Sequence, residues 1–179
     1  RVATLPVPSV ALIHGQCLAG GLELALACRY RIADAGGSVS LGAPDVRLGL
    51  HPCYGGTVRL PMLIGGSAAL DLLTSGRSVD GAKAATLGLV DRTAPRDELP
   101  DVAKDIIART PMPHRPRLRT RMLRFPPVRW LTYQILASQF RRATRPDRSG
   151  AKEAIVRLWR DVGGSRLERR IQAERDSFL

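Results

Sequence analysis

One carboxylate stands alone in an apolar stretch near the start of this 179-residue chain. Pro8 to Cys28 reads P-S-V-A-L-I-H-G-Q-C-L-A-G-G-L-E-L-A-L-A-C, and Glu23 is its single charged side chain. Burying a carboxylate without partners is costly, so Glu23 has either a partner or a task. Just before it, Gly20-Gly21 sits where an apolar helical run begins. A helix N-terminus offers unpaired N–H groups and the positive end of the macrodipole, which favour an anion or a developing oxyanion. Glycine there leaves the backbone open to close approach. The pattern fits acid–base chemistry beside an oxyanion-stabilising amide. It fits equally a first-turn Glu that offsets the helix dipole, and local sequence leaves both open. A second carboxylate, Asp45, follows Pro44 in a loop. Side chains on such loops are free to point into a cleft, although Asp after Pro also forms a local turn.

Strands and helices able to carry these groups are legible in the same sequence. Val10 to Ile13 is a short apolar run bounded by Pro and Gly, a buried strand. From Leu22 the apolar residues suit a helix covered on every face. Arg29 to Ala35 alternates well enough for a strand, with Tyr30, Ile32 and Ala33 among Arg29, Arg31 and Asp34. Ser38 to Leu41 predicts another strand, ended by Gly42 and Pro44. Beyond Thr57 the chain turns helical: Ser67 to Thr74, then Gly81 to Leu87 with Asp80 as N-cap and Gly88 as stop. Leu89-Val90-Asp91 predicts a short strand, and Asp97 to Arg109 a further helix. Pro111, Pro113 and Pro116 open a Pro/Arg-rich linker over 111–127. After it, 128–140 and 153–167 carry amphipathic helical patterns, and 167–178 adds a third. His51 is read as a loop residue with no evident partner.

Three blocks, in order, resemble the crotonase superfamily of enoyl-CoA hydratases and isomerases. His14-Gly15, Ala19-Gly20-Gly21 and Glu23-Leu24 match its first signature. Ser40 to Leu50, S-L-G-A-P-D-V-R-L-G-L, matches its second block. Pro52, Gly55-Gly56-Thr57, Arg59-Leu60-Pro61 and Ile64-Gly65 match its third. The resemblance implies an α/β fold, a ββα spiral of which the N-terminal part is missing here, followed by an α-helical tail. It implies a crotonase-like part over 1–110 and a connecting helical segment over 128–179. It makes Glu23 and Asp45 the catalytic pair, Gly20 an oxyanion donor, and Ala19, Gly21, Cys17, Pro52 and Gly55 substrate-binding positions.

The implied chemistry is coherent. Adding water across a conjugated double bond needs a base for the water and an acid for the α-carbon, and two carboxyl groups in different environments can serve as both. The family pairs two Glu residues, whereas this chain has Asp45 at the second place. One methylene less retracts the group by roughly 1.5 Å, a displacement of the size that can cost about 100-fold in rate. Isomerase chemistry, with one carboxylate shuttling the proton, therefore stays open. No cofactor is expected to be bound, since coenzyme A enters as substrate carrier, and no metal is implied. The resemblance implies trimer-type self-assembly. Trp130 to Phe178 looks like the segment that joins hydratase and dehydrogenase parts in multifunctional α-subunits of bacterial fatty-acid oxidation complexes, which also contain a thiolase. Because the first motif comes almost at once, the chain is expected to be a piece of something longer.

Composition bounds these readings. Nothing approaches the roughly 18 consecutive apolar residues a membrane span requires. Cys17, Cys28 and Cys53 form no disulfide framework or zinc set, which fits a reducing, cytoplasmic setting. The net charge of +12 is uneven: residues 1–100 hold 9 Lys+Arg against 8 Asp+Glu, and residues 101–179 hold 19 against 8. Nucleic-acid binding is the sharper reading of that imbalance. The absence of a recognition motif and the scarcity of aromatic residues favour a solvated basic face. A third class, a non-catalytic acyl-CoA-binding or assembly piece, is kept because the second acid is altered.

Overall fold

A computed structural model describes residues 2–111, 125–142, 150–162 and 165–178. Its strands are β1 (Val10–Ile13), β2 (Gln16–Leu18), β3 (Tyr30–Asp34), β4 (Ser40–Gly42), β5 (Ser78–Val79) and β6 (Arg92–Ala94). Its α-helices are α1 (Gly20–Ala27), α2 (Gly56–Ile64), α3 (Gly66–Ser75), α4 (Gly81–Leu87), α5 (Leu99–Arg109), α6 (Pro126–Arg142), α7 (Ala151–Val162) and α8 (Leu167–Phe178). Most of the expected linker, and residues 143–149, lie outside the described residues.

Two three-stranded sheets organise the chain. One has the order β1-β3-β6 and is parallel throughout, with Val10 opposite Tyr30 and Ile32 opposite Arg92. The other has the order β2-β4-β5, in which β2 and β4 are parallel and β5 is antiparallel. Each ββα unit thus sends its first strand to one sheet and its second strand to the other: β1, β2 and α1, then β3, β4 and α2. This is the spiral that the family resemblance implied, with β2 a strand the local pattern did not signal.

β3 departs from its expected alternation, since all five of its residues are buried. A strand central in a parallel sheet is covered on both faces, so polar positions that alternation would send to solvent are enclosed. On one side lies a cluster of Tyr30, Ile32, Ala94, Leu99, Ala103 and Ile106. Arg31, turned into the protein, donates from Nε to the Leu89 carbonyl at 3.0 Å, from Nη1 to the Cys28 carbonyl at 2.8 Å and from Nη2 to Asp91 at 3.0 Å. Asp91 is therefore an ion-pair partner, and the strand expected at 89–91 begins at Arg92 instead. Leu89 and Val90 are buried in the main core.

That core continues into the tail. Ala151, Ile155, Val156 and Trp159 of α7 share one cluster with Leu41, Leu60 and Leu72. Their spacing places them on one helical stripe, which drives the helix onto the earlier elements. The pattern expected over 153–167 thus begins at Ala151 and stops at Val162, ahead of Gly163-Gly164. Helix α6 packs Tyr133 and Leu136 against the same cluster but leaves Trp130, Leu131 and Ile135 exposed, less amphipathic than expected. Asp80 caps α4 as expected, accepting from the Lys83 N–H at 2.7 Å. None of the described helices is long and apolar enough to cross a membrane.

Candidate active site

Helix α1 begins where the sequence placed it. Ala19 precedes it at φ 49° and ψ −123°, a left-handed conformation in which a non-glycine residue stores about 1–3 kcal/mol. Two hydrogen bonds hold it there. The Ala19 N–H donates to the Gly42 carbonyl at 3.0 Å, and the Ala19 carbonyl accepts from the Glu23 N–H at 3.1 Å. The latter is the first helical bond, so the amides of Gly20 and Gly21 lie ahead of the ladder. No hydrogen bond among the described residues engages the Gly20 N–H. Both glycines are exposed, and a Cβ on either would meet nothing within 4 Å. The proposed oxyanion amide is available to an incoming group. The helix is not covered on every face, since Leu24 is 59 % exposed.

Glu23 is buried, and it has partners. Its Oε1 accepts from the Tyr54 N–H and the Gly56 N–H, both at 2.8 Å. Among the described hydrogen bonds, Oε2 takes none. Burial pushes the carboxyl above its ordinary range, the two amides oppose that shift, and repulsion from Glu174 and Asp45 adds to it. The alternative of simple dipole compensation on α1 does not describe this environment, because the carboxylate is held by the turn leading into α2.

Asp45 lies in a 3-10 turn over Pro44–Leu48 rather than in an open loop. Its Oδ2 is buried and carries no hydrogen bond among the described residues. The turn is closed by Gly49, and the Leu50 N–H donates to the Asp45 carbonyl at 3.1 Å. Burial raises the Cys53 thiol, and the charges of Glu23, Glu174 and Asp45 add to that shift.

The other expected positions divide. Pro52 is buried against Gly56, whose added Cβ would lie 2.7 Å from the Pro52 Cβ and 2.9 Å from Glu23 Oε1. Gly56→Ala therefore dislodges Glu23. The Glu23 carboxyl is then expected to titrate higher, because it loses an amide that opposes the effect of burial, as read by 13C NMR of labelled glutamate, with the helix content in circular dichroism unchanged. Gly55, at φ 102°, makes the turn into α2, and its N–H is taken by Glu174 at 2.5 Å rather than left for a ligand. Cys17, on β2, belongs to the main core, and burial pushes its thiol up to about 11.

Two participants escaped sequence reasoning. Glu174 of α8 is fully buried; Oε1 accepts from Gly55, and Oε2 accepts from the Thr57 N–H at 3.0 Å and from the Thr57 hydroxyl. His51, read as a loop residue, is buried, with Nδ1 2.8 Å from the Pro52 carbonyl and Nε2 3.3 Å from the Ser177 carbonyl. Both partnerships span more than a hundred positions, and no local pattern signals them.

The profile of the enoyl-CoA hydratase/isomerase family matches residues 1–125. The chain belongs to this family. Over 107 residues it is 52% identical to the fatty acid oxidation complex subunit alpha of Vibrio cholerae, a match covering 60% of this chain and 15% of that protein. The corresponding subunit of Vibrio campbellii is 51% identical over 104 residues, covering 58% and 15%. Among solved structures, an enoyl-CoA hydratase of Bacillus anthracis superimposes with a TM-score of 0.58 at 30% identity, covering 99% of this chain and 55% of the other. One of Rhodobacter sphaeroides gives a TM-score of 0.66 at 22% identity, covering 99% and 57%, a likeness of fold. The chain thus spans about half of these solved enzymes and a smaller share of the curated relatives. It carries a partial crotonase fold.

Proposed function

We propose that this chain is part of an enoyl-CoA hydratase that adds water to trans-2-enoyl-CoA thioesters in fatty-acid β-oxidation, within a multifunctional enzyme. The observation that carries this reading is the division of labour within one carboxylate. Glu23 Oε1 is fixed by the Tyr54 and Gly56 amides, which leaves Oε2 for a water, while the Gly20 amide three residues earlier has no internal acceptor.

The thioester oxygen accepts from the Gly20 N–H, so negative charge developing there meets a donor already in place. Ionised Glu23 takes a proton from water as the water oxygen bonds to the β-carbon. The π electrons move toward the thioester, and the α-carbon then takes a proton. Asp45, whose buried Oδ2 has no described partner, works with Glu23 in that transfer. Ala19 and Gly21 flank the amide, and Pro52 backs the turn that holds Glu23. Coenzyme A is a substrate carrier, and the chain holds no cofactor of its own. The setting is cytoplasmic, and the assembly is a trimer-type homo-oligomer or a thiolase-containing complex.

The shorter Asp45 favours one second reading, double-bond migration with Glu23 as the single shuttle. Crotonyl-CoA and a 3-enoyl-CoA separate the two. The hydratase reading expects loss of the conjugated thioester absorbance of crotonyl-CoA with formation of the 3-hydroxy product. Migration of the 3-enoyl substrate without hydration of either compound would replace it with the isomerase. Binding of both without turnover would leave an acyl-CoA-binding piece. Among the described residues of the tail, Arg157 pairs with Glu153 at 3.3 Å and Arg160 with Asp161 at 2.5 Å, which favours a solvated basic face over nucleic-acid binding.

A further inference from the structure

The tail helix α8 sends a fully buried carboxylate to the same turn that holds Glu23. The four consecutive amides of residues 54 to 57 are shared alternately between two acids. Tyr54 and Gly56 donate to Glu23, whereas Gly55 and Thr57 donate to Glu174. The Thr57 hydroxyl adds a third donor to Glu174. The two acids thus hold alternate amides of one turn, and each donor to Glu174 is the chain neighbour of a donor to Glu23. These amides open α2, and the positive end of its dipole favours both anions. Fixing Glu174 needs the rest of the tail, because α7 contributes Ile155, Val156 and Trp159 to the main core and Arg170 of α8 donates to the Val58 carbonyl at 3.3 Å.

We propose that Glu174 is a positioning residue for Glu23: a tail carboxylate that locks the Gly55–Thr57 turn and thereby holds the reactive carboxylate beside the Gly20 amide. The inference rests on the hydratase reading for its activity readout but not for its structural one. The tail then completes the site instead of serving as a connector alone. The surrounding titratable and charged groups are Asp45, His51 and Cys53 on the connections, Arg59 on α2, and Arg170 and Arg175 on α8. Of these, Asp45 adds to the upward push on Glu23, and His51 opposes the upward push that burial exerts on Glu174.

The test is the carboxyl titration of Glu23 in the full chain, followed by 13C NMR with labelled glutamate and assigned by the signal missing in Glu23→Gln. The Gly56 and Tyr54 hydrogen bonds depress Glu23 more strongly than the charge of Glu174 raises it. Glu174→Ala, by releasing the turn, is therefore expected to move the Glu23 midpoint upward. Hydration kcat should fall by about 10-fold or more, with KM changing far less, since the loss is one of alignment. The acid limb of the kcat profile should move to higher pH along with the midpoint. A downward midpoint would mean that Glu174 acts through charge alone, and an unchanged one that it serves the fold alone; either overturns the proposal. If Glu174→Ala does not fold, Glu174→Gln, which removes the charge and replaces one of the two acceptor oxygens by a donor, is read by the same three outcomes. A parent chain without hydration would remove the hydratase reading, while the Glu23 midpoint still decides the role of Glu174.

Discussion

Glu23→Gln is expected to lower the hydration of crotonyl-CoA by at least about 100-fold, the scale of a lost general base. The substitution keeps the shape of the side chain and an oxygen that can accept from Tyr54 and Gly56, so the turn before α2 stays in place. What it removes is the basicity of Oε2. The loss should therefore appear in kcat, with KM for the thioester close to the parent value, because an ionised base acts in the transition state and contributes little to ground-state binding. The parent should show a related pH dependence. Glu23 must be ionised to take the proton, and burial raises its carboxyl above the ordinary value of 4.5. Activity is therefore lost as pH falls through the raised value, at a higher pH than an exposed glutamate would give. Equal rates for the variant and the parent would remove Glu23 from the mechanism.

The second large effect concerns stability. Asp91→Ala is expected to cost about 3–5 kcal/mol, the usual result of stripping one partner from a buried ion pair. Arg31 has a side chain 4% exposed, and Asp91 Oδ2 accepts from both its Nη2 and its backbone N–H, at 3.0 and 2.8 Å. Removing the carboxylate leaves the guanidinium with two carbonyl acceptors and no counter-charge, and it strips a backbone donor in the central strand of its acceptor. Burial already presses Arg31 below its ordinary value, an effect that Asp91 opposes. Urea denaturation should show the loss as an earlier midpoint with an unchanged slope. The double variant Arg31→Met with Asp91→Ala should recover part of it, since the uncompensated charge is then gone. A loss below about 1 kcal/mol for Asp91→Ala would place this pair among ordinary surface bridges.

Both effects trace to features that differ in how visible they are in the sequence. Val10 to Ile13, Gly20-Gly21 and the apolar run after them specify a strand, a helix start and an isolated acid through local chemistry alone, and the structure has each in place, although β1 is not the buried strand expected: only Ile13 is buried and Leu12 is exposed. The caps of α4 were equally readable, because Asp80 and Gly88 act on backbone groups within a turn of themselves. The burial of Arg31 was not. Alternation assumes one wet face, and β3 acquires its second cover from elements that lie far along the chain.

The amino-acid sequence by itself determined the strand at Val10 to Ile13, the glycine-led start of α1 and the presence of Glu23 in its first turn, since these follow from propensity, period and glycine placement over short spans; β2 carries no such local signal, and the ββα repeat was implied by the family resemblance alone. Tertiary structure decided what Glu23 touches. Its partners Tyr54 and Gly56 lie 31 and 33 positions away, and the opposing acid Glu174 is 119 positions from Gly55. A buried carboxylate is stable only where several donors converge on it. Convergence of separate segments depends on how the helices pack on the sheets, and no window of neighbouring residues contains that information.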